Sequence, residues 1–158
     1  MTEIDIINED LIELNNCAPS KRDVLEDVAR MVYQEGRVRD KEGYLNGLLE
    51  REANSTTGFG DGIAIPHAKI DGVIKPTIAV IKLKNPVEWE AMDNKPVKLI
   101  ISLAVPSNQK GTLHLKLLAN LSEHLMEDDF KRKLILADTK REIYKIITSI
   151  FYNAEERK

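Results

Sequence analysis

The sequence lacks the features that mark secreted, membrane-spanning or disulfide-rich proteins. Its one cysteine among 158 residues cannot form an intramolecular disulfide, which favours a reducing cytoplasm. No apolar run approaches the roughly 20 residues that a transmembrane helix requires. The N-terminal segment MTEIDIINED is acidic and does not show the basic and then apolar order of a secretory signal. We therefore expect a soluble, cytoplasmic protein without direct membrane insertion.

An excess of positive charge is also absent. Lysine and arginine number 23 against 26 aspartates and glutamates, which gives a formal net charge of −3. Without a long basic run, the chain is not expected to bind nucleic acid. The length suits one domain, because a chain of about 150 residues buries roughly 68–70% of its unfolded surface. We predict a single domain over residues 1–158, with a core at about 4–152 and a C-terminal tail at 153–158.

Several sequence motifs with known chemistry are missing as well. There is no Cys/His pair at zinc-binding spacing and no carboxylate set that resembles a calcium loop. The nucleotide-binding patterns GxxxxGK[ST] and GxGxxG and the nucleophile elbow GxSxG do not occur. These absences argue against a zinc, calcium or nucleotide site and against a serine hydrolase.

Helical periodicity and capping residues predict five helices. Ser20 and Asp23 have capping-box spacing before an apolar stripe that ends near Gly36. A second helix is expected from Asp40 to near Glu52, followed by a loop. Three more are expected toward the C-terminus: one capped by Thr112, one over 129–136 and one that begins at Thr139.

Strands are expected in the middle of the chain. The run at 97–105 is almost entirely apolar, as in a central strand that is buried on both faces. Strands are also predicted at 63–65, 77–83 and 87–90, and the stretch 54–62 is predicted to be a loop. An N-terminal strand or extended segment precedes the first helix. This order indicates a layered α/β domain with a mixed sheet.

A glycine-rich stretch that ends in proline and histidine carries the strongest chemical signal. It reads TTGFGDGIAIPHA over 56–68. Pro66 fixes its own φ and biases Ile65 toward extended geometry, so His67 is expected to emerge rigidly at the end of a strand. Glycines let backbone N–H groups approach a ligand such as phosphate, but turn glycines beside a packed histidine give the same pattern.

His67 is the candidate reactive residue. Neutral imidazole is a good nucleophile near neutral pH. It can accept a phosphoryl group on one ring nitrogen while a hydrogen bond holds the other, and it can pass the group on because the P–N bond is labile. The protein must then supply positioning and positive charge. A general base, a metal ligand and an inert histidine remain as alternatives.

Two further residues are candidates for supporting roles. Arg51 lies at the predicted C-terminal end of the second helix, where its guanidinium can bind phosphate oxygens or simply offset the negative end of the helix dipole. His114 falls in the first turn of a later helix, where it can orient His67, donate to a phosphoryl group or pack as an ordinary histidine.

Three other conspicuous residues receive structural interpretations. His124 lies about 80° from His114 around a helix, so we expect it at the surface. Cys17 is expected to be a small structural thiol. Trp89 is expected either to anchor the predicted strand at 87–90 or to face a partner protein.

The stretch from Gly58 to His67 resembles the phosphorylation-site signature of the fructose/mannitol-type enzyme IIA domains of the bacterial phosphoenolpyruvate-dependent sugar phosphotransferase system. The similarity covers nearly the whole chain and is closest to the fructose subgroup. Beyond the signature it includes the residues LERE at 49–52, Trp89, Asp93, Pro96-Val97, Val105-Pro106 and His114-Leu115.

The resemblance implies a function and a fold. In this family the histidine of the Pro-His pair, here His67, takes a phosphoryl group from the histidine phosphocarrier protein and passes it to a cysteine of the cognate IIB component. The membrane component IIC works with IIB, and phosphoenolpyruvate is the indirect phosphoryl source. The same alignment puts the second active-site histidine at His114 and the phosphoryl-stabilising arginine at Arg51. The implied fold is a mixed sheet sandwiched by helices.

The resemblance also implies that the chain needs no metal or organic cofactor and that it is a free-standing IIA protein, since Cys17 does not lie in a IIB motif. Two alternatives remain open. One is a regulatory module like the nitrogen-related IIA proteins, whose phosphorylation at His67 controls binding to another protein. The other is a metal site that uses His67 and His114, for which the sequence offers no obvious third ligand. The likeness to the fructose subgroup implies uptake and phosphorylation of a fructose-type sugar, which the IIC component mainly selects.

Overall fold

Among the residues that the structure describes, six strands form one mixed sheet in which the most apolar strand is central. The computed structural model describes residues 6–107 and 113–156, with the side chains of 6–107 and 116–150. A short 3-10 turn, Glu9–Leu11, precedes the regular elements. These are β1 Ile12–Asn16, α1 Lys21–Gln34, α2 Lys41–Asn54, β2 Gly58–Gly60, β3 Ile63–Ala64, β4 His67–Ile70, β5 Thr77–Val87, β6 Val97–Pro106, α3 Leu113–Leu125, α4 Asp128–Leu136 and α5 Lys140–Glu156.

The sheet has the order β1-β5-β6-β3-β2, and β4 also pairs with β6. Strand β5 is antiparallel to β6, whereas β3 and β4 are both parallel to it and follow one another along the same edge. Residues from Leu99 to Pro106 of β6 are buried without interruption, so both faces of the sheet are covered. The predicted α/β domain with a mixed sheet and packed helices is confirmed.

The predicted helix starts are also confirmed. Ser20 caps α1: its Oγ accepts the Asp23 N–H at 3.2 Å and donates to the Asp23 carboxylate at 2.8 Å. The Asp40 side chain accepts the Glu42 N–H at the start of α2. Thr139 Oγ1 accepts the Glu142 N–H at 3.1 Å before α5. The prediction for Thr112 lies outside the described residues.

The predictions for the loop at 54–62, the strand at 87–90 and the environment of Trp89 need correction. The segment 54–62 is not a continuous loop, because Gly58–Gly60 forms β2. The strand expected at 87–90 does not exist: β5 runs on to Val87 and the strand ends there. Trp89 is completely buried, so it does not face a partner protein. None of the described helices is long and apolar enough to cross a membrane.

Candidate functional site

The site forms where the C-terminal end of α2 meets the N-terminal end of β4. His67 is the first residue of β4, not the last residue of the preceding strand as its sequence context suggested, and it pairs in register with Leu103 of β6. Gly47 lets α2 approach this strand closely, because a Cβ at Gly47 would lie 3.1 Å from Ile70 Cγ2 and 3.3 Å from Ala68 Cβ. One turn further along α2, Arg51 reaches His67.

Two hydrogen bonds indicate which nitrogen of the neutral His67 imidazole carries the proton. Nδ1 lies 2.8 Å from the backbone carbonyl oxygen of Ile65, which can only accept, so Nδ1 carries the proton. Nε2 lies 3.3 Å from Arg51 Nε, which can only donate, so Nε2 is the acceptor. The half-buried ring therefore presents an unprotonated Nε2, whose lone pair can act as a nucleophile once the hydrogen bond from Arg51 is released.

The guanidinium of Arg51 is held in place by the end of its own helix. Nη1 donates to the carbonyl oxygen of Ser55 at 2.7 Å and to the Ser55 hydroxyl at 3.2 Å. Arg51 thus satisfies the carbonyl of the C-cap residue that follows α2 and at the same time directs Nε toward His67. A fixed positive charge beside the nucleophile can stabilise the oxygens of a phosphoryl group during transfer.

A second set of contacts fixes the segment that leads from α2 into β2. The Glu52 carboxylate, whose side chain is only 6% exposed, accepts the backbone N–H of Thr57 at 3.2 Å and also the Thr57 hydroxyl. Trp89 Nε1 donates to the same Thr57 hydroxyl at 3.2 Å. Lys21 Nζ lies 3.3 Å from Glu52 and 5.5 Å from the centre of the Trp89 ring. These contacts therefore anchor the segment to α2 through Glu52 and to α1 through Lys21.

The glycines of the signature serve the turn between β2 and β3. Gly60 and Gly62 adopt positive φ angles of 114° and 82° around Asp61. The Asp93 carboxylate accepts the N–H of Asp61 at 2.9 Å and that of Lys95 at 3.1 Å, and these hydrogen bonds hold the pKa of Asp93 below its usual value. The Asp61 carboxylate lies 2.5 Å from Lys131 of α4 and raises the pKa of that lysine.

His124 and Cys17 have no described contact with this site, and the prediction for the side chain of His114 lies outside the described residues. The backbone of His114 lies in the first turn of α3, but its side chain falls outside the described residues. Half-buried His124 hydrogen-bonds the carbonyl oxygen of Asn120 at 2.8 Å and packs on the Phe130 ring. Cys17 is exposed, which does not fit the predicted structural thiol. Within 6–107 and 116–150, no group of three or more His, Cys, Asp or Glu side chains could hold a metal ion.

The structure brings together His67 and Arg51, two of the residues that the sequence singles out, and adds neighbours that the sequence does not indicate. The sequence indicates only that Glu52 belongs to the run LERE and that Ser55 and Thr57 fall in a predicted loop. Nothing in their spacing signals the contacts, because each depends on how α2 ends relative to β2. Only the run LERE at 49–52, noted for its resemblance, pointed toward Glu52.

Comparisons with known proteins identify a family for this chain. The family described as "Phosphoenolpyruvate-dependent sugar phosphotransferase system, EIIA 2" matches residues 5–150. The fructose-specific EIIA component of Haloferax volcanii is 38% identical over 151 residues, which is 95% of this chain and 97% of that protein. A nitrogen regulatory protein of Pseudomonas aeruginosa is 37% identical over 131 residues, which is 83% of this chain and 84% of that one.

Among solved structures, the fold is similar to that of the mannitol enzyme IIA of Escherichia coli in its complex with phosphorylated enzyme IIB. The TM-score is 0.76 at 20% identity, over 90% of this chain and 97% of that one. At this level of identity the likeness concerns the fold, and it agrees with the mixed sheet described above.

Proposed function

The chain belongs to the EIIA 2 family of the phosphoenolpyruvate-dependent sugar phosphotransferase system, and we propose that it carries a phosphoryl group on Nε2 of His67. Membership in this family gives the chain the general role of a phosphocarrier that acts toward a IIB component. The observation that carries the assignment to this atom is the pair of contacts at the ring. Nδ1–H donates to the Ile65 carbonyl oxygen, and Nε2 faces the guanidinium of Arg51.

The first transfer begins at a phosphohistidine of the donor, which we propose to be the histidine phosphocarrier protein. The lone pair of His67 Nε2 attacks phosphorus as the P–N bond of the donor breaks, and the electron pair of that bond returns to the donor imidazole. The His67 ring becomes cationic and keeps its Nδ1 proton, which the Ile65 carbonyl oxygen stabilises. No proton has to move during this step, so positioning and charge dominate its rate.

The second transfer passes the group to the acceptor, which we propose to be a cysteine of a cognate IIB component working with a membrane IIC component. The thiolate attacks phosphorus, the bond to Nε2 breaks, and its electron pair restores neutral His67. In both steps Arg51 releases Nε2 and donates to phosphoryl oxygens instead, while its bonds to Ser55 keep the guanidinium close. We further propose that His114 donates to the phosphoryl group, and that no metal or organic cofactor takes part.

Mass spectrometry tests the carrier role. After incubation with phosphoenolpyruvate, enzyme I and the histidine phosphocarrier protein, kept at alkaline pH because phosphohistidine is acid-labile, the protein should gain one phosphoryl group. His67→Ala should gain none and His124→Ala should gain one, since the described contacts of His124 are to Asn120 of α3 and Phe130 of α4. A folded parent that gains no mass with active partners, or a phosphorylated His67→Ala, contradicts the proposal.

We propose fructose-type sugar uptake as the pathway, supported by the fructose-specific relative. A phosphorylation-dependent regulatory role is the second candidate, because the nitrogen regulatory relative is almost equally identical. The two differ in the fate of the phosphoryl group. Rapid transfer from phosphorylated protein to the cysteine of a fructose-type IIB component from the same source supports transport. Stable phosphoprotein in the presence of that IIB component supports regulation.

A further inference from the structure

A continuous chain of contacts links a buried carboxylate to the proton on His67. Glu52 accepts both the N–H and the hydroxyl of Thr57. The carbonyl oxygen of Thr57 accepts the N–H of Ile65 at 3.0 Å. The carbonyl oxygen of that same residue, Ile65, accepts the Nδ1–H of His67 at 2.8 Å. Each contact holds the residue whose carbonyl oxygen accepts the next hydrogen bond.

We propose that Glu52 is a positioning residue for phosphoryl transfer, which acts through Thr57 to hold the Ile65 carbonyl oxygen against Nδ1 of His67 and so keeps Nε2 as the reactive nitrogen. The inference deepens the proposed function and rests on it. Glu52 itself does not touch the phosphoryl group. Its effect passes through the backbone of the β2 entry segment.

The surroundings of Glu52 fit a positioning role better than they fit an ion pair at the protein surface. Its side chain is 6% exposed, and a buried carboxylate is retained only where several donors satisfy it. Lys21 provides a counter-charge at 3.3 Å, and Trp89 Nε1 donates to the Thr57 hydroxyl, leaving that hydroxyl's own proton for Glu52. The hydroxyl of Thr57 therefore accepts a hydrogen bond from Trp89 and donates one to Glu52, and these two bonds determine its orientation.

Because Glu52 is next to Arg51, its contacts also affect the position of the guanidinium. The two residues are adjacent at the end of α2, one directed to Thr57 and the other to His67. Fixing the end of this helix therefore sets both the guanidinium and the carbonyl oxygen that orient the same imidazole. Loss of Glu52 is expected to loosen both, although neither His67 nor Arg51 has changed.

The test measures the tautomer of His67 directly. In the parent, ¹⁵N NMR of the unphosphorylated protein should show His67 protonated at Nδ1, with Nε2 unprotonated. In Glu52→Gln and Thr57→Val, the signals should report a mixture of both neutral tautomers. The transfer rate from the phosphorylated donor should fall by about tenfold or more, since small misplacements of reacting groups cost factors of this size.

Two matched variants separate positioning from a general loss of structure. Glu50→Gln makes the same change two residues away on the same helix, where the side chain is exposed, and should behave as the parent. Thr57→Ser keeps the hydroxyl that Glu52 and Trp89 share and should restore both tautomer and rate. If Glu52→Gln does not fold, the comparison of Thr57→Val with Thr57→Ser decides the question.

The outcomes distinguish this inference from the proposed function. If the parent is phosphorylated on His67 and folded Glu52→Gln and Thr57→Val keep the parental tautomer and rate, Glu52 is only structural and the inference is wrong. A loss of thermal stability without a change of tautomer leads to the same conclusion. If the parent is not phosphorylated at all, the carrier proposal fails. The comparison of tautomers still tests whether Glu52 orients the imidazole of His67.

Discussion

At the scale of single residues, the site depends on the different chemistry of the two nitrogens of one ring. A carbonyl oxygen accepts from Nδ1 and a guanidinium donates to Nε2, so the same imidazole is held at both ends. Neither contact is visible in the sequence, where Ile65 is one apolar residue in a short strand and Arg51 is sixteen positions from His67. The sequence predicts the histidine but not which of its two nitrogens carries the proton, because that depends on the direction of a peptide carbonyl.

The charge of Arg51 gives the first residue-scale prediction. Arg51→Ala should slow phosphorylation of His67 or shorten the lifetime of the phosphohistidine by about tenfold or more, because the phosphoryl oxygens lose a charge-assisted donor. Arg51→Lys should recover only part of this loss, since an ammonium group cannot contact Ser55 and the phosphoryl oxygens with the same planar geometry. Quench-flow measurement of ³²P transfer checks both.

The control for Arg51 is Arg132→Ala, which removes an exposed arginine of α4 that pairs with Asp129. It should leave transfer unchanged. Kinetics of Arg51→Ala equal to those of the parent would show that Arg51 serves only the end of its helix.

A buried tyrosine gives a residue-scale prediction about stability. Tyr44 of α2 is completely buried beside Ser102 of β6, and this burial raises the pKa of its hydroxyl to about 12. The folded state therefore holds this proton more tightly than the unfolded state, whose tyrosine has a pKa of about 10. Stability from this group is complete below pH 10 and should fall as the pH rises toward 12.

Urea unfolding of the parent and of Tyr44→Phe as a function of pH measures this effect. The difference in unfolding free energy between the two proteins should be constant below about pH 10 and should then shift against the parent by a value on the order of 2 kcal/mol. A difference that does not change with pH would show that the hydroxyl of Tyr44 reaches water.

At the scale of elements, local signals predicted helices well and strands less well. Capping at Ser20, Asp40 and Thr139 is encoded within three residues, so the helix starts follow from the sequence. Strands β2 and β4 were missed because they are short and exist through pairing with β3 and β6. Trp89 alternates with charged neighbours as in a strand, yet its burial comes from packing beneath Thr57 and Lys21.

The close packing of β2 gives an element-scale prediction. A Cβ on Gly58 would lie 2.6 Å from the backbone Cα of Ala91, and backbone cannot move aside as a flexible side chain can. Gly58→Ala should therefore lower the free energy of unfolding by about 1–3 kcal/mol, the usual cost of overpacking. The control Gly72→Ala should change it little, because its nearest neighbour atom would lie 3.9 Å away. Equal urea midpoints for the two variants would contradict the predicted clash.

At the scale of the whole molecule, the sheet provides a frame for a small site at one edge of β6. The order of the predicted helices and strands indicates an α/β domain with a mixed sheet, the family resemblance implies the same fold, and the strand order and the comparisons confirm it. The extent of the domain over 1–158 and the role of His114 stay predictions. The contacts of the site could not be predicted because they join residues far apart in the sequence. Residues from α2, β2, β4 and the Trp89 segment meet only after the sheet has formed.

Independence from metal is a prediction about the whole molecule. The transfer chemistry uses a lone pair, a guanidinium and backbone groups of the chain itself, so extensive treatment of this protein with EDTA before the assay should leave phosphoryl transfer unchanged. Enzyme I must be omitted and a pre-phosphorylated donor used, so that only this chain is tested. A loss of transfer that one equivalent of a transition metal restores would contradict the account.

The central claim is that His67 carries the phosphoryl group on Nε2, and ³¹P NMR of the phosphorylated protein at alkaline pH tests it most directly. The two phosphohistidine isomers have distinct resonances. We predict a single resonance of the Nε2 isomer, absent in His67→Ala and unchanged in His124→Ala. A resonance of the Nδ1 isomer, or a signal that persists without His67, would contradict the assignment of the reactive atom and the geometry on which it is based.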